Sequence, residues 1–146
     1  MKTLITQDVE QRLRKYPLYS QDGKGKDAEV VVKFFLPHTA WAWYILEAQP
    51  IDIDEAIAKD MGIEAGKSWE FFGITINDST PHGEYGYMTL AELQRIKIDV
   101  PIVDAKTGRR IGSTPAYVER DDTYIGKRVA DIDGVATYDE EEAAQP

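Results

Sequence analysis

Apolar positions along the 146-residue chain recur with two different periods, and the switches between them mark out its elements. Near the N-terminus Val9, Leu13 and Tyr16 recur at spacings of four and three, which predicts a helix from Thr6 as its cap to about Lys15. Pro17 ends it, because proline disfavours the helical conformation in the residue before it. Ser20 to Asp27 is polar, holds Gly23 and Gly25, and reads as a loop. Glu29 to Phe35 is β-branched and aromatic, the composition of a strand. After a turn containing Pro37, the run Trp41 to Ala48 puts Trp41, Trp43 and Ile45 on one side and Ala42, Tyr44 and Leu46 on the other. Both sides are apolar, so this is a central strand covered on two faces.

Pro50 is expected to break that strand. Asp52 or Asp54 then caps a short helix, Glu55 to Met61, with Gly62 closing it. Trp69 to Ile76 reads as a third strand and Glu84 to Met88 as a fourth, joined by turn chemistry from Asn77 to Gly83. Thr89 with Glu92 three residues later forms a capping box for a helix to about Ile96, burying Leu90, Leu93 and Ile96. Pro101 to Val103 and Tyr117 to Glu119 read as further strands, with Ala105 to Arg110 between them as an exposed hairpin or insertion. Strands in runs with few helices give an α+β fold: a mainly antiparallel sheet of about five to six strands with two or three short helices. Residues 1–130 are expected to form one domain. Residues 131–146, with Asp139-Glu140-Glu141-Glu142, are expected to form an acidic, disordered tail.

Charge changes this picture most. The net charge of −9 is segregated: residues 37–94 hold only Lys59 and Lys67 against ten acids, whereas residues 95–130 are net basic. Such a field keeps a protein soluble and repels bare nucleic acid; its plain reading is a solvated acidic surface, and its sharper reading is a surface that attracts a basic partner. The chain has no cysteine, which removes disulfides, thiolate metal sites and cysteine nucleophiles. The N-terminus does not read as a signal peptide, and no apolar run approaches the roughly 18 residues of a membrane span. A cytoplasmic location and no membrane association are expected.

Each candidate chemistry has a plain alternative. Trp41, Trp43, Trp69, Phe71, Tyr85 and Tyr87 can form a stacking platform for single-stranded bases, but without a basic groove core packing is favoured. His38 and His82 sit beside prolines in turns. His82 lies near Glu84 and Ser79, yet two isolated histidines read as surface turn residues. The acid pairs Asp52/Asp54, Asp121/Asp122 and Asp131/Asp133 can hold magnesium, and Asp104-Ala105-Lys106 has the shape of a nuclease tripeptide that also arises freely by chance. Gly23-Lys24-Gly25-Lys26 lacks the hydroxyl residue of a phosphate-binding loop. No catalytic residue, metal site or cofactor is assigned.

The order of several short segments resembles a bacterial family, domain of unknown function family 2958. They are Pro17-Leu18-Tyr19-Ser20, Val32-Lys33-Phe34-Phe35, Trp41-Ala42-Trp43-Tyr44, Phe71-Phe72-Gly73, Glu84 to Leu93, and Val118-Glu119-Arg120-Asp121. Together they span residues 4 to 121. The segment around Gly108-Arg109-Arg110 and the acidic C-terminus depart from the pattern. The resemblance implies a small soluble protein of plasmids, conjugative elements and phages, and it implies no catalytic residues.

These readings converge on a non-enzymatic binding protein of a mobile element. Its acidic face of Glu47, Asp52, Asp54, Glu55, Glu64 and Glu70 is expected to engage a basic protein, in one version a counter-defence protein whose carboxylates imitate DNA phosphates. The alternative is a nucleic-acid-binding or metal-dependent processing protein using Arg109, Arg110, Lys127 and Arg128. A homodimer along an exposed strand edge is a third arrangement.

Overall fold

The computed structural model describes residues 3–132, 134 and 135. Among them it has three α-helices and seven strands: α1 (Gln7–Arg14), β1 (Val32–Phe35), β2 (Ala42–Ile53), α2 (Glu55–Met61), β3 (Gly66–Asn77), β4 (Thr80–Thr89), α3 (Leu90–Gln94), β5 (Lys97–Val103), β6 (Arg110–Tyr117) and β7 (Glu119–Asp121). Five strands form a sheet in the order β4-β3-β2-β1-β7, and β5 and β6 pair as a separate hairpin. All of these pairings are antiparallel, as the strand-rich pattern predicts. The fold is α+β.

Alternation along β2 builds two layers of core. On face A, Trp43, Ile45 and Ala48 join Phe34, Trp69, Phe71 and Met88 beneath Val9 and Leu13 of α1 and Leu90 and Leu93 of α3. On face B, Ala42, Tyr44 and Leu46 pack with Val30, Ile74, Val129, Ile132 and Val135. The strand read as central from its two apolar sides is therefore the middle of the five, buried on both. Tryptophan is divided accordingly: Trp43 and Trp69 are buried, and Trp41 is 42 % exposed, its ring 5.6 Å from that of Trp43.

Proline behaves differently from the expectation at two places. β2 runs through Pro50, which stands opposite Trp69, to Ile53. Beyond Ile45 the strand β1 no longer pairs with it, so β2 has become an edge there. The Ala48 amide points out to the Tyr16 carbonyl at 2.9 Å, and two residues on Pro50 turns the same way, where its missing N–H costs no ladder bond. Likewise β4 starts at Thr80 and contains Pro81, on the outer edge of the sheet. The turn between β3 and β4 is correspondingly tight: the Asn77 Oδ1 accepts from the amides of Ser79 (2.8 Å) and Thr80 (3.0 Å). The stretch Tyr117 to Glu119 is not one strand. It divides at the buried Val118 between β6 in the hairpin and β7 against β1. Most of the stretch 131–146 lies outside the described residues.

Candidate protein-docking surface

Beyond Ile45 the pairing of β2 with β3 skips one residue, so Leu46 and Glu47 both turn to face B. Glu47 is only 3 % exposed. Its Oε1 accepts from the Tyr19 amide and its Oε2 from the Gln21 amide, both at 2.8 Å. The Gln21 side chain in turn donates to the carbonyls of Glu29 (2.9 Å) and Leu46 (2.6 Å) and accepts from the Glu29 amide (2.7 Å). The Tyr16 hydroxyl donates to the Glu29 carboxylate. This polar network pins the loop after α1 to β2. It removes Glu47 from the acidic surface in which the sequence placed it, since the carboxylate is spent on backbone amides.

Four other members of that surface stand exposed at one end of the sheet. Asp54 caps α2, accepting from Ala56 N (3.0 Å) and Ile57 N (3.4 Å), and Gly62 closes the helix in the left-handed conformation at φ 68°. Asp52, Glu55 and Glu64 lie around the same helix, together with Asp60. The inner side of α2 packs Ala58 against Ile53 and Ala91. Its outer side leaves Ile57 54 % exposed, with Met61 beside it. Between helix and strands runs an apolar groove of about 250 Å³, lined by Ile51, Ile53, Ile57, Met61, Ile63 and Thr89 with Asp52 and Asp54 at its rim. Three cations also stand at this end: Lys59 on the last turn of α2, Lys67 opposite Asp52 on β3, and Arg95, whose guanidinium donates to the Met61 carbonyl at 2.6 Å and stabilises the helix C-terminus.

Glu70 sits apart from the acids of α2, half-buried on face B, its carboxylate accepting from Gln49 Nε2 at 3.0 Å. It pairs with Thr89, while Phe72, two residues along, pairs with Tyr87. The aromatic row and the groove therefore share one face, about 7 Å apart along the strands. In that row Phe72 packs on Tyr87 (ring centroids 5.0 Å) and on Tyr85 (5.9 Å), and Tyr87 lies close to Tyr19. Desolvation, the Tyr19 contact and the charges of Glu47 and Asp22 raise the Tyr87 phenol above its usual range. The period-2 pattern identified Tyr85 and Tyr87. Tyr19 was missed as a surface residue because its loop position depends on Glu47, far along the chain.

The basic candidates do not meet. Arg109 and Arg110 end a hairpin arm whose tip also exposes Ile102, Val103 and Ile111. Lys127 lies over the Tyr124 ring at 4.8 Å, and the Arg128 backbone pairs with that of Glu29, at the opposite end of β1 from the Phe35–Glu119 pair. The acid pairs are used locally. Asp121 faces Lys33 (3.6 Å) and the Thr123 hydroxyl (2.6 Å), and Asp122 pairs with Arg120 at 2.6 Å. Desolvation works against the Asp121 charge, but the Thr123 bonds and Lys33 outweigh it and lower its pKa. Asp104 accepts from the amides of Lys106 (2.8 Å) and Thr107 (3.1 Å), the bonding of a turn rather than of a nuclease site. Asp131 bonds the Arg128 amide at 2.8 Å, and Asp133 lies outside the described residues. His38 and His82 are exposed. Among the described residues no three His, Cys, Asp or Glu side chains gather to hold a metal ion.

Fold and surface together define a small α+β protein with an antiparallel sheet, an acid-rimmed apolar groove and an aromatic row beside it. No helix among the described residues is long and apolar enough to cross a membrane. The chain belongs to the family described as protein of unknown function (DUF2958), whose model matches residues 4–106. That match ends in the turn of the β5–β6 hairpin. No curated protein and no solved structure matches the chain.

Proposed function

We propose that this protein is a non-enzymatic binding protein whose α2 end docks a basic, amphipathic segment of another protein. The observation that carries this reading is the pairing of an exposed apolar groove with carboxylates at its rim. Ile57 and Met61 offer surface to bury, and Asp52, Asp54, Glu55 and Glu64 supply the charge that steers a basic segment and rejects acidic ones. At about 250 Å³ the groove falls below the roughly 300 Å³ from which small-molecule pockets start, so it suits one or two side chains. The family resemblance adds a mobile-element setting, in which a nucleic-acid-handling enzyme of the host is a basic partner of the right charge and a counter-defence role follows.

The test is capture from host lysate with tagged wild-type protein and with the variants Ile57→Asp and Glu55→Lys, each with and without nuclease. A basic protein retained after nuclease by the wild type and lost from both variants supports the reading. Retention by both variants, or loss of every bound protein on nuclease treatment, refutes it.

A second reading rests on the hairpin arm, where Lys106, Arg109 and Arg110 surround exposed Ile102, Val103 and Ile111. Basic residues beside apolar ones at a projecting tip suit a nucleic-acid groove. This reading requires DNA or RNA binding that falls steeply with salt and is lost in Arg109→Glu/Arg110→Glu.

A further inference from the structure

We propose that Tyr19, Phe72 and Tyr87, above the buried carboxylate of Glu47, form a site for an arginine side chain of a protein partner. Three observations carry this. The first is the placement of aromatics on the open part of face B: Tyr19 is 66 % exposed and Tyr87 56 % exposed, although alternation on a solvated strand face calls for polar residues there. Tyrosine in such positions is typical of residues that dominate protein interfaces.

The second is charge. Glu47 is buried, and no cationic side chain among the described residues pairs with it; two backbone amides stabilise it instead. Its field emerges through the rings of the residues around it, whose π faces are themselves negative. Cations in this chain already occupy other rings: Arg14 lies over Trp69 at 5.5 Å, and Lys33 lies 5.1 Å from the Tyr44 ring and 4.4 Å from that of Tyr124. Among the described residues no such cation lies over Tyr19, Phe72 or Tyr87.

The third is backbone strain. Tyr19 is held at φ 73°, where a bulky residue is an outlier. The Glu47 carboxylate fixes its amide, and the resulting turn brings Tyr19 beside Tyr87. Strain of this kind persists where the surroundings over-determine it, and it concentrates at sites that bind. A guanidinium suits the geometry better than an ammonium, because its plane stacks on a ring while its N–H groups reach phenolic oxygens, and it is the more weakly hydrated ion.

The site stands whether or not the α2 groove has an occupant, and its test does not involve the groove. The full-length protein is titrated with N-acetyl-arginine amide and with N-acetyl-citrulline amide, a neutral molecule of nearly the same shape, while aromatic resonances are followed by NMR. The arginine compound is expected to shift the Tyr19, Phe72 and Tyr87 signals saturably, with citrulline about two- to fivefold weaker, the scale of an exposed cation–π contact. Tyr87→Leu and Tyr19→Leu, both at exposed positions, are each expected to weaken arginine binding about two- to fivefold with the fold intact by circular dichroism. An equal response to citrulline, shifts spread over the α2 acids with these rings silent, or unchanged affinity in both variants overturns the proposal. Tighter binding of tetramethylammonium than of arginine overturns it in favour of a small quaternary cation. Ring shifts that follow protein concentration without any probe overturn it in favour of a second copy of the chain.

Discussion

Replacing Glu47 tests whether a buried carboxylate organises the loop that carries Tyr19. Each carboxylate oxygen accepts one backbone amide at 2.8 Å, and among the described residues the amides of Tyr19 and Gln21 have no other acceptor. A hydrogen bond to a charged acceptor contributes about 1.5–3 kcal/mol, and a buried donor left unpaired costs about 1–3 kcal/mol. Glu47→Ala removes both acceptors, and the relief of burying one charge offsets part of the loss, so the expected destabilisation is about 3–5 kcal/mol. Glu47→Gln keeps one acceptor and sets its NH₂ against the other amide, for about 2 kcal/mol. In a domain of this size about 2–4 °C of melting temperature accompany each kcal/mol, which gives roughly 4–8 °C for the glutamine variant. Calorimetry measures the shift, and hydrogen exchange locates it. Protection should fall at Tyr19 and Gln21 and persist at Ile45 and Phe71 in the sheet. A glutamine variant that melts with the wild type, or keeps full protection at both loop amides, refutes the reasoning.

Three further outcomes are expected. At Gly73 a Cβ would overlap the Tyr44 carbonyl oxygen, whereas at Gly86, opposite it on β4, nothing lies within 4 Å; urea unfolding should therefore show Gly73→Ala costing about 3 kcal/mol or failing to fold, and Gly86→Ala costing under about 1 kcal/mol. Thr89 caps α3 through the Glu92 amide at 3.1 Å, so Thr89→Ala should cost about 1 kcal/mol by the same assay. The phenol of Tyr16 is raised by its hydrogen bond to Glu29 and by burial, those of Tyr87 and Tyr124 chiefly by burial. A raised phenol keeps its proton longer in the folded state, so this stability is fully present below the ordinary phenol value of 10.0 and is lost as pH rises past it. Chemical denaturation from pH 8 to 11 should show a midpoint that is flat and then falls above about pH 10, with a smaller fall in Tyr16→Phe.

Local pattern determined much of this protein. The spacing of Val9 and Leu13, the Thr89–Glu92 box and the two apolar sides of Trp41 to Ala48 each specify an element, because neighbours in sequence settle helix caps and side-chain alternation. The α+β class and the exposure of Asp52, Asp54, Glu55 and Glu64 follow from the same kind of reasoning. Tertiary structure decided the rest. Pro50 is tolerated because β1 has already ended where β2 passes it, and chain-local rules hold no information about a neighbouring strand. Glu47 looks like another surface acid in sequence, but one skipped residue in the pairing turns it beneath the Tyr19 loop, where two distant amides need its charge. Arg109 and Arg110 are separated from Lys127 and Arg128 because the chain leaves the sheet as a hairpin and returns as β7. Charge along a sequence can be read directly; which charges face water together depends on strand order and register, which only the assembled sheet fixes.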